Sequence, residues 1–323
     1  MNNLDLKVGD EFNSLIINGV EHQICKKYKI EYQRTPNTKS SKYNKKLNRF
    51  DKLVPNQFRF HEDTSALAKN LHLFNSDDII VITDKWHGIS AVFSNVLVNK
   101  ELNWYEKLLK KFGINIVDKE YSNLYSSRSI IKNRYINKEV TEGYYREDIW
   151  GTVNKELKDK IEQGIIVYGE IVGNLASGAC VQKNYDYGCS DKEHKFVVYR
   201  ITYTKPDGNT IEFSWQQIKD YCQKYSLETV KELYFGKLDF FPNVIPLSLL
   251  ADMNWRESFL IAMSKEYLER QCKYCVNKVP AEGICVRIDG KQSYMTYKLK
   301  SKAFLLKETK DLDKGEINIE EIS

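Results

Sequence analysis

The run Asp77-Asp78-Ile79-Ile80-Val81-Ile82-Thr83-Asp84-Lys85-Trp86-His87-Gly88-Ile89-Ser90 sets the architecture of this chain. Its unbroken apolar centre predicts a strand buried on both faces. A lysine stands where that strand ends and a glycine-bearing turn begins. Lysine is seldom buried without a partner. One held at the mouth of a pocket beside other cations can lose its proton and act as a nucleophile. Taken alone, K-x-x-G is a weak signal, and Lys85 by itself reads as a surface lysine.

Outward from this strand the chain alternates helices and strands. Thr64–Leu71 reads as a short helix before it. Asn154–Gly164 reads as a helix opened by Asn154, with Leu157 and Ile161 at i,i+4 and a terminal glycine. Residues 165–173 (IIVYGEIVG) and 195–203 (KFVVYRITY) read as strands. Ser214 and Gln217 have capping-box spacing before a helix to about Tyr225, and Asn254 and Glu257 repeat it before a helix to about Cys272. GICVRI (283–288) and SYMTYKLKS (293–301) are the last strands. Strands spread through the chain with helices between them indicate an α+β domain with mixed, largely antiparallel sheet, over residues 56–310. Residues 1–55 read as a small β-rich N-terminal module, with a hairpin signal at Asn18–Gly19, and 311–323 as a C-terminal tail.

Length and composition bound the rest. The chain has 323 residues and 42% hydrophobic content, which suits one or two domains. No apolar run approaches the ~20 residues of a membrane span, and the N-terminus lacks the apolar segment of a signal peptide. The seven cysteines are expected to be reduced thiols in a cytosol-like compartment, of a bacterium or a phage-infected cell. Residues 26–52 hold ten Lys/Arg against Glu31 and Asp51, so this segment is +8 within a chain of net +5. Lys26, Lys27, Lys29, Lys45, Lys46 and Arg49, interleaved with Tyr28, Tyr32, Tyr43 and Phe50, suit a phosphate backbone and its bases. The plainer reading of such a tract is a solvated basic loop.

Three further motifs carry candidate chemistry. In Tyr168-Gly169-Glu170-Ile171-Val172-Gly173 an acid sits in an apolar strand between glycines, suited to a ligand hydroxyl or a metal. Glu282-Gly283-Ile284-Cys285-Val286-Arg287 opens a strand with another carboxylate, a hard ligand of the kind Mg²⁺ prefers. In Tyr297-Lys298-Leu299-Lys300-Ser301 the two-residue period puts Lys298 and Lys300 on one face, where they call for an anion. Each alone has an ordinary surface reading. Cys272-Lys273-Tyr274-Cys275 is a single CxxC with no second pair and no nearby histidine, a weak zinc signal.

Their order changes the odds. K-x-H-G, Y-G-E-x-x-G, F-x-x-Y, E-G-x-x-V-R and K-x-K, in that sequence, resemble the motifs of the covalent nucleotidyltransferases, the ATP-dependent ligases and mRNA capping enzymes. Lys85-Trp86-His87-Gly88 with Ser90 resembles the RNA-ligase branch, which includes phage duplex-sealing and trypanosome editing ligases. The resemblance covers about residues 56–305. It implies a nucleotidyltransferase domain of the ATP-grasp-like ligase type, using ATP and Mg²⁺ or Mn²⁺, that joins RNA 3′-OH and 5′-phosphate ends, with no membrane and no obligatory protein partner evident.

The resemblance also implies roles. Lys85 is the nucleophile that carries AMP. Lys298 and Lys300 contact the phosphates and favour the neutral amine of Lys85, and His87 serves the RNA-adenylation step. Glu282 helps hold the metal, directly or through water. Glu170 contacts the ribose, and Asp84, Gly88 and Glu282 belong to the nucleotide site. Phe196-Val197-Val198-Tyr199 supplies the aromatic that stacks on adenine. Alternation puts Phe196 and Tyr199 on opposite faces, and Tyr199 better matches the family position. Arg128 is the candidate ribose- and substrate-contacting arginine, with Lys132 or Arg134 as alternatives. Two departures stand out: Arg200, where the family commonly has aspartate, and Ala91, where duplex-sealing relatives tend to carry asparagine.

With 23 residues after Lys300, the chain is expected to lack the C-terminal OB domain of capping enzymes and most DNA ligases. A DNA-end ligase or guanylyltransferase, and an inactive RNA-binding protein on a ligase scaffold, are the alternatives.

Overall fold

The computed structural model describes residues 14–17, 20–23, 52–133, 145, 147–238 and 255–313. The chain forms two compact units, Met1–Arg49 and Phe50–Ser323. In the first, β1 (Ser14–Ile17) and β2 (Val20–Gln23) pair antiparallel, as the Asn18–Gly19 signal predicts. Lys26, Lys27, Lys29, Lys45, Lys46, Arg49 and Arg134 lie outside the described residues. The second unit begins slightly before residue 56 because Lys52 and Leu53 already bond to its sheet, at Asn99 and Val98.

That unit is built on two sheets. One has the order β10 (Glu228–Thr229), β8 (His194–Thr204), β7 (Ile165–Gly173), β5 (Ile89–Asn99), β6 (Lys119–Ser126), with β9 (Thr210–Glu212) also on β8. The other runs β11 (Glu232–Lys237), β4 (Ile79–Lys85), β12 (Gly283–Ile288), β13 (Thr296–Lys300), β3 (Ser65–Ala66). Only the pairs β10–β8 and β13–β3 are parallel; every other pair in the two sheets is antiparallel. This is the α+β, mixed and largely antiparallel class that the strand pattern indicates.

Five α-helices are present among the described residues: α1 (Trp104–Lys111), α2 (Ile149–Leu157), α3 (Trp215–Tyr225), α4 (Trp255–Tyr267) and α5 (Lys302–Asp313). The Ser214–Gln217 capping box forms at the start of α3, each side chain bonded to the other's backbone N–H. Helix α2 begins five residues before the expected Asn154, capped by Asp148. Burial explains the shift: Ile149, Trp150, Val153 and Leu157 face the core together, so the apolar stripe lies upstream of Leu157. The expected helix at Thr64–Leu71 is instead β3 followed by two 3₁₀ turns, at Leu67–Lys69 and Leu71–Leu73. Helix α4 ends at Tyr267, short of Cys272, and α5 runs through the start of the expected tail.

The core is divided between the sheets. Ile89, Ala91, Phe93, Val167 and Ile171 pack with Trp150, Trp215 and Ile218 of the helices. Ile80, Ile82, Ile284 and Val286 pack with Phe74, Phe259 and Met263.

Candidate active site

An open cleft lies between the faces of the two sheets. Register explains which side chains line it. In β4, β12 and β13 the opposed residues form rows: Lys85–Gly283–Lys300, Thr83–Cys285–Lys298 and Val81–Arg287–Thr296. Directly opposed residues share a face, and every non-glycine member of these rows lines the cleft. Gly283 leaves a gap between two lysines, and its own backbone needs that gap. Its φ is +149°, and a Cβ there would lie 2.0 Å from the Leu299 carbonyl oxygen.

The carboxylate of Glu282 fills the space beside that gap. Its side chain is 0% exposed, with Oε1 2.8 Å from Lys85 Nζ and 3.3 Å from Lys300 Nζ. Lys300 also reaches Glu308 of α5 at 3.4 Å. The other oxygen, Oε2, has no hydrogen-bond partner among the described residues, and His87 Nδ1 is 3.8 Å away. The His87 ring meets the edges of Tyr185 and Phe304, each at 4.9 Å. Trp86 stacks on Tyr187 at 4.5 Å and 8°, which fixes the turn after the lysine.

The opposing wall comes from the other sheet. Ser90 and Glu170 are opposed in register and both line the cleft, with Tyr199 beside them. The pairing of β7 with β8 shifts between Tyr168 and Gly169, leaving Tyr199 as an extra residue. Such a bulge lets two successive residues take one face. Tyr199 and Arg200 therefore both face the cleft side, where alternation alone would turn Arg200 away. Arg200 is buried, bonded through Nε to Glu212 at 3.0 Å and through its terminal nitrogen to Glu62 at 3.1 Å. Its guanidinium covers the rings of Tyr168 and Tyr294, 4.7 and 4.1 Å from their centroids. Arg287 of β12 approaches Glu212 at 3.9 Å and Asp289 at 3.1 Å. The departure at Arg200 thus anchors a buried ion network joining both walls.

The segment His61-Glu62-Asp63 adds His61 and Asp63 to the cleft lining, a role not read from the sequence. His61 Nδ1 is 2.6 Å from the Tyr199 hydroxyl, Glu62 holds Arg200, and Asp63 accepts from Arg128 Nε at 3.0 Å. Burial, reinforced by the Arg128 guanidinium, lowers the His61 pKa to about 4, so the ring is neutral near pH 7. Cys285, Tyr294 and Thr296 also line the cleft without having been singled out. Burial pushes the Cys285 thiol up to about 11.

The cleft therefore gathers Lys85, Lys298, Lys300, Glu170, Arg128 and Tyr199, with Glu282 beside Lys85, from six separate stretches of chain. Of the other expected residues, Asp84 also lines the cleft, while Phe196, Gly88 and Lys132 do not. Phe196 packs edge-on against Phe93 at 4.9 Å on the opposite sheet face and does not line the cleft. Gly88 serves a close approach, since a Cβ there would meet the Ile171 carbonyl oxygen at 2.5 Å, and its own carbonyl accepts from Gln182. The Asp84 carboxylate is taken by Arg270 and by the Tyr274 hydroxyl, at 2.7 Å in the second case, so it anchors the strand end that bears Lys85. Lys132 is buried over the Trp150 ring at 4.6 Å, so of the two described candidates it is Arg128 that lines the cleft.

A lysine paired with a buried carboxylate, and two further lysines in register on the same sheet face, thus meet at a cleft between the two sheets. Residues 78–302 match the family model described as RNA ligase, well over half of the chain, and the chain belongs to that family. No curated protein matches it. Among solved structures it is similar to the Naegleria gruberi RNA ligase. An apo variant of that enzyme gives a TM-score of 0.49 at 13% identity, covering 81% of this chain and 60% of that one. The same enzyme with PPi gives 0.48 at 13%, with the same coverage. A variant with ATP and Mn gives 0.47 at 13%, covering 80% and 60%. This chain thus spans about 60% of the length of those structures.

Proposed function

We propose that this protein is an ATP-dependent RNA ligase that joins RNA 3′-OH and 5′-phosphate ends in a cytosolic compartment, in RNA repair. The observation that carries the reading is the placement of the Lys85 amine 2.8 Å from Glu282, in a row with Lys300 and beside Lys298. Family membership supports the substrate class.

The chemistry runs in three displacements. The Lys85 amine attacks the α-phosphorus of ATP, the bond to the bridging oxygen breaks, and pyrophosphate departs as the amine loses its protons. An oxygen of an RNA 5′-phosphate then attacks the same phosphorus, breaking the P–N bond and restoring the lysine. Finally a 3′-hydroxyl attacks the 5′-phosphate phosphorus, forming the phosphodiester and releasing AMP. Negative charge crowds the transferring phosphates at each step, so fixed cations in a water-poor cleft are the main requirement. Lys298 and Lys300 meet it on one wall and Arg128 on the other.

The Glu282 Oε2 oxygen, buried and without a hydrogen-bond partner among the described residues, suits a hard divalent cation such as Mg²⁺ or Mn²⁺. Glu170 across the cleft is a further oxygen donor or ribose contact. When bound, such a cation would neutralise phosphate charge. Tyr199, whose hydroxyl meets His61, would offer its ring to the adenine, and His87 would act on the RNA-adenylation step. Lys26, Lys27, Lys29, Lys45, Lys46 and Arg49 are proposed to grip the RNA outside the cleft.

The test is end joining. Purified protein with ATP and Mg²⁺ should seal a 5′-phosphorylated RNA to an RNA 3′-hydroxyl, whether the ends are held in a nicked duplex or a cleaved loop. Sealing of DNA alone, or of no substrate, would refute the reading.

A further inference from the structure

Between α4 and β12 the chain makes a closed loop over residues 270–282. Its ends are tied by Cys272 N–H donating to the Val279 carbonyl at 2.8 Å and Ala281 N–H donating to the Arg270 carbonyl at 2.9 Å. This loop touches the lysine-bearing strand at three points. Arg270 and Tyr274 bond the Asp84 carboxylate, and Glu282 pairs with Lys85. The Tyr274 ring also lies against Trp86, centroids 4.9 Å apart. Within the same loop Cys272 and Cys275 bring their sulfurs to 3.0 Å, both half-buried and both free thiols. Among the described residues no group of three His, Cys, Asp or Glu is placed to hold a metal, so a zinc role finds no further ligands there.

We propose that Cys272 and Cys275 are a reversible thiol–disulfide site whose oxidation moves Tyr274 and thereby unseats Lys85. Two free thiols this close need little backbone movement to bond: the sulfurs close by about 1 Å to reach a disulfide. Tyr274 lies between the two cysteines in sequence, so its backbone is carried along with the closure. The oxidant is a small-molecule disulfide such as glutathione disulfide. The Cys272 thiolate attacks one of its sulfurs and expels one thiol, leaving a mixed disulfide. The Cys275 thiol then gives up its proton and attacks the Cys272 sulfur, expelling the second thiol. Two electrons pass from the protein to the small disulfide, and a dithiol reductant reverses both exchanges. The hydrogen bond shared by the two sulfurs holds the Cys272 thiol below its usual pKa, which suits it as the attacking sulfur. In a reducing compartment, a pair of this kind serves sensing rather than support.

The effect on Lys85 follows from scale. A displacement of about 1 Å at a reacting group can cost up to about 100-fold in rate. The AMP-transfer half of the inference rests on the proposed ligase function, so the experiment reads two properties of the full-length protein. The protein is equilibrated in glutathione/glutathione disulfide mixtures. Peptide mass spectrometry then maps the 272–275 linkage and the rate at which an amine-acylating reagent modifies Lys85. Radiolabel uptake from α-labelled ATP is followed in parallel.

The expected result is an internal Cys272–Cys275 disulfide, with Lys85 acylation altered severalfold and label uptake slowed about tenfold or more, all restored by dithiothreitol. Cys272→Ser should be indifferent to the glutathione ratio, and Cys275→Ser should stop at the mixed disulfide on Cys272 without an internal linkage; either one suffices if the other does not fold. Failure to form the 272–275 linkage under oxidising mixtures would overturn the proposal. So would a disulfide that leaves Lys85 acylation unchanged. If reduced protein takes no label while acylation still follows the disulfide, the ligase reading fails and the thiol site stands.

Discussion

Replacing Arg200 by alanine tests whether the buried ion network holds the cleft together. Arg200 and Glu212 have side chains 5% and 4% exposed and are bonded at 2.9–3.0 Å. With the guanidinium gone, Glu212 keeps, among the described residues, the Arg287 guanidinium at 3.9 Å. Removing one partner of a buried pair costs about 3–5 kcal/mol, because the remaining charge is left in a poor solvent. The lost cover over Tyr168 and Tyr294 adds about 1 kcal/mol, while Arg287 offsets part of the total. A net loss of about 3–4 kcal/mol lowers the thermal midpoint by roughly 6–16 °C for a unit of this size. Burial already raises the Glu212 pKa, and losing Arg200 raises it further. A carboxyl with a raised folded pKa is tolerated below its unfolded pKa and opposes folding as pH rises through the folded value. The deficit should therefore grow between pH 5 and pH 8. Urea unfolding of Arg200→Met, Glu212→Leu and the Arg200→Met/Glu212→Leu pair completes the cycle, and the apolar pair should recover most of the loss. A cost below about 1 kcal/mol for Arg200→Ala, or a double variant as weak as the sum of single losses, would refute the network.

Gly283→Ala should cost more than about 3 kcal/mol, since its Cβ would lie 2.0 Å from a backbone oxygen that cannot move without breaking the β12–β13 pairing; a thermal midpoint within a degree or two of wild type would count against this. His61 is neutral when folded and charged when unfolded between about pH 4 and pH 6.5. Its contribution is complete above about pH 6.5 and lost as pH falls toward 4, by about 3 kcal/mol. His61→Asn should flatten that limb of the stability curve, measured by urea midpoints across pH. Lys300→Ala should slow AMP loading roughly 100- to 1000-fold with little change in unfolding midpoint, followed as pyrophosphate release.

Local signals in the sequence placed much of this architecture. The apolar run Ile79–Ile82 is strand on both accounts, GICVRI is β12 to the residue, and the two-residue period puts Lys298 and Lys300 in one cleft wall. These are short-range properties, set by side-chain alternation and capping chemistry. Long-range pairing escaped the reading. His61, Glu62 and Asp63 find partners 138, 138 and 65 residues away, and nothing in a run of polar residues announces them. The β-bulge at Tyr199 escaped for a related reason: it depends on the register of the neighbouring strand, and it turned Arg200 from an anomaly into the anchor of both walls. Helix α2 was set too late because its stripe includes Trp150 and Val153, which precede the apolar pair used to find it.

The central claim is that the Lys85 amine takes up AMP. The most direct measurement mixes AMP-free protein with Mg²⁺ and α-labelled ATP, then resolves it on a denaturing gel beside Lys85→Ala. The account predicts a label that survives denaturation in the wild type, is absent from the variant, and is released on adding pyrophosphate. A label that persists in Lys85→Ala, one taken up from GTP alone, or none from either nucleotide would contradict it.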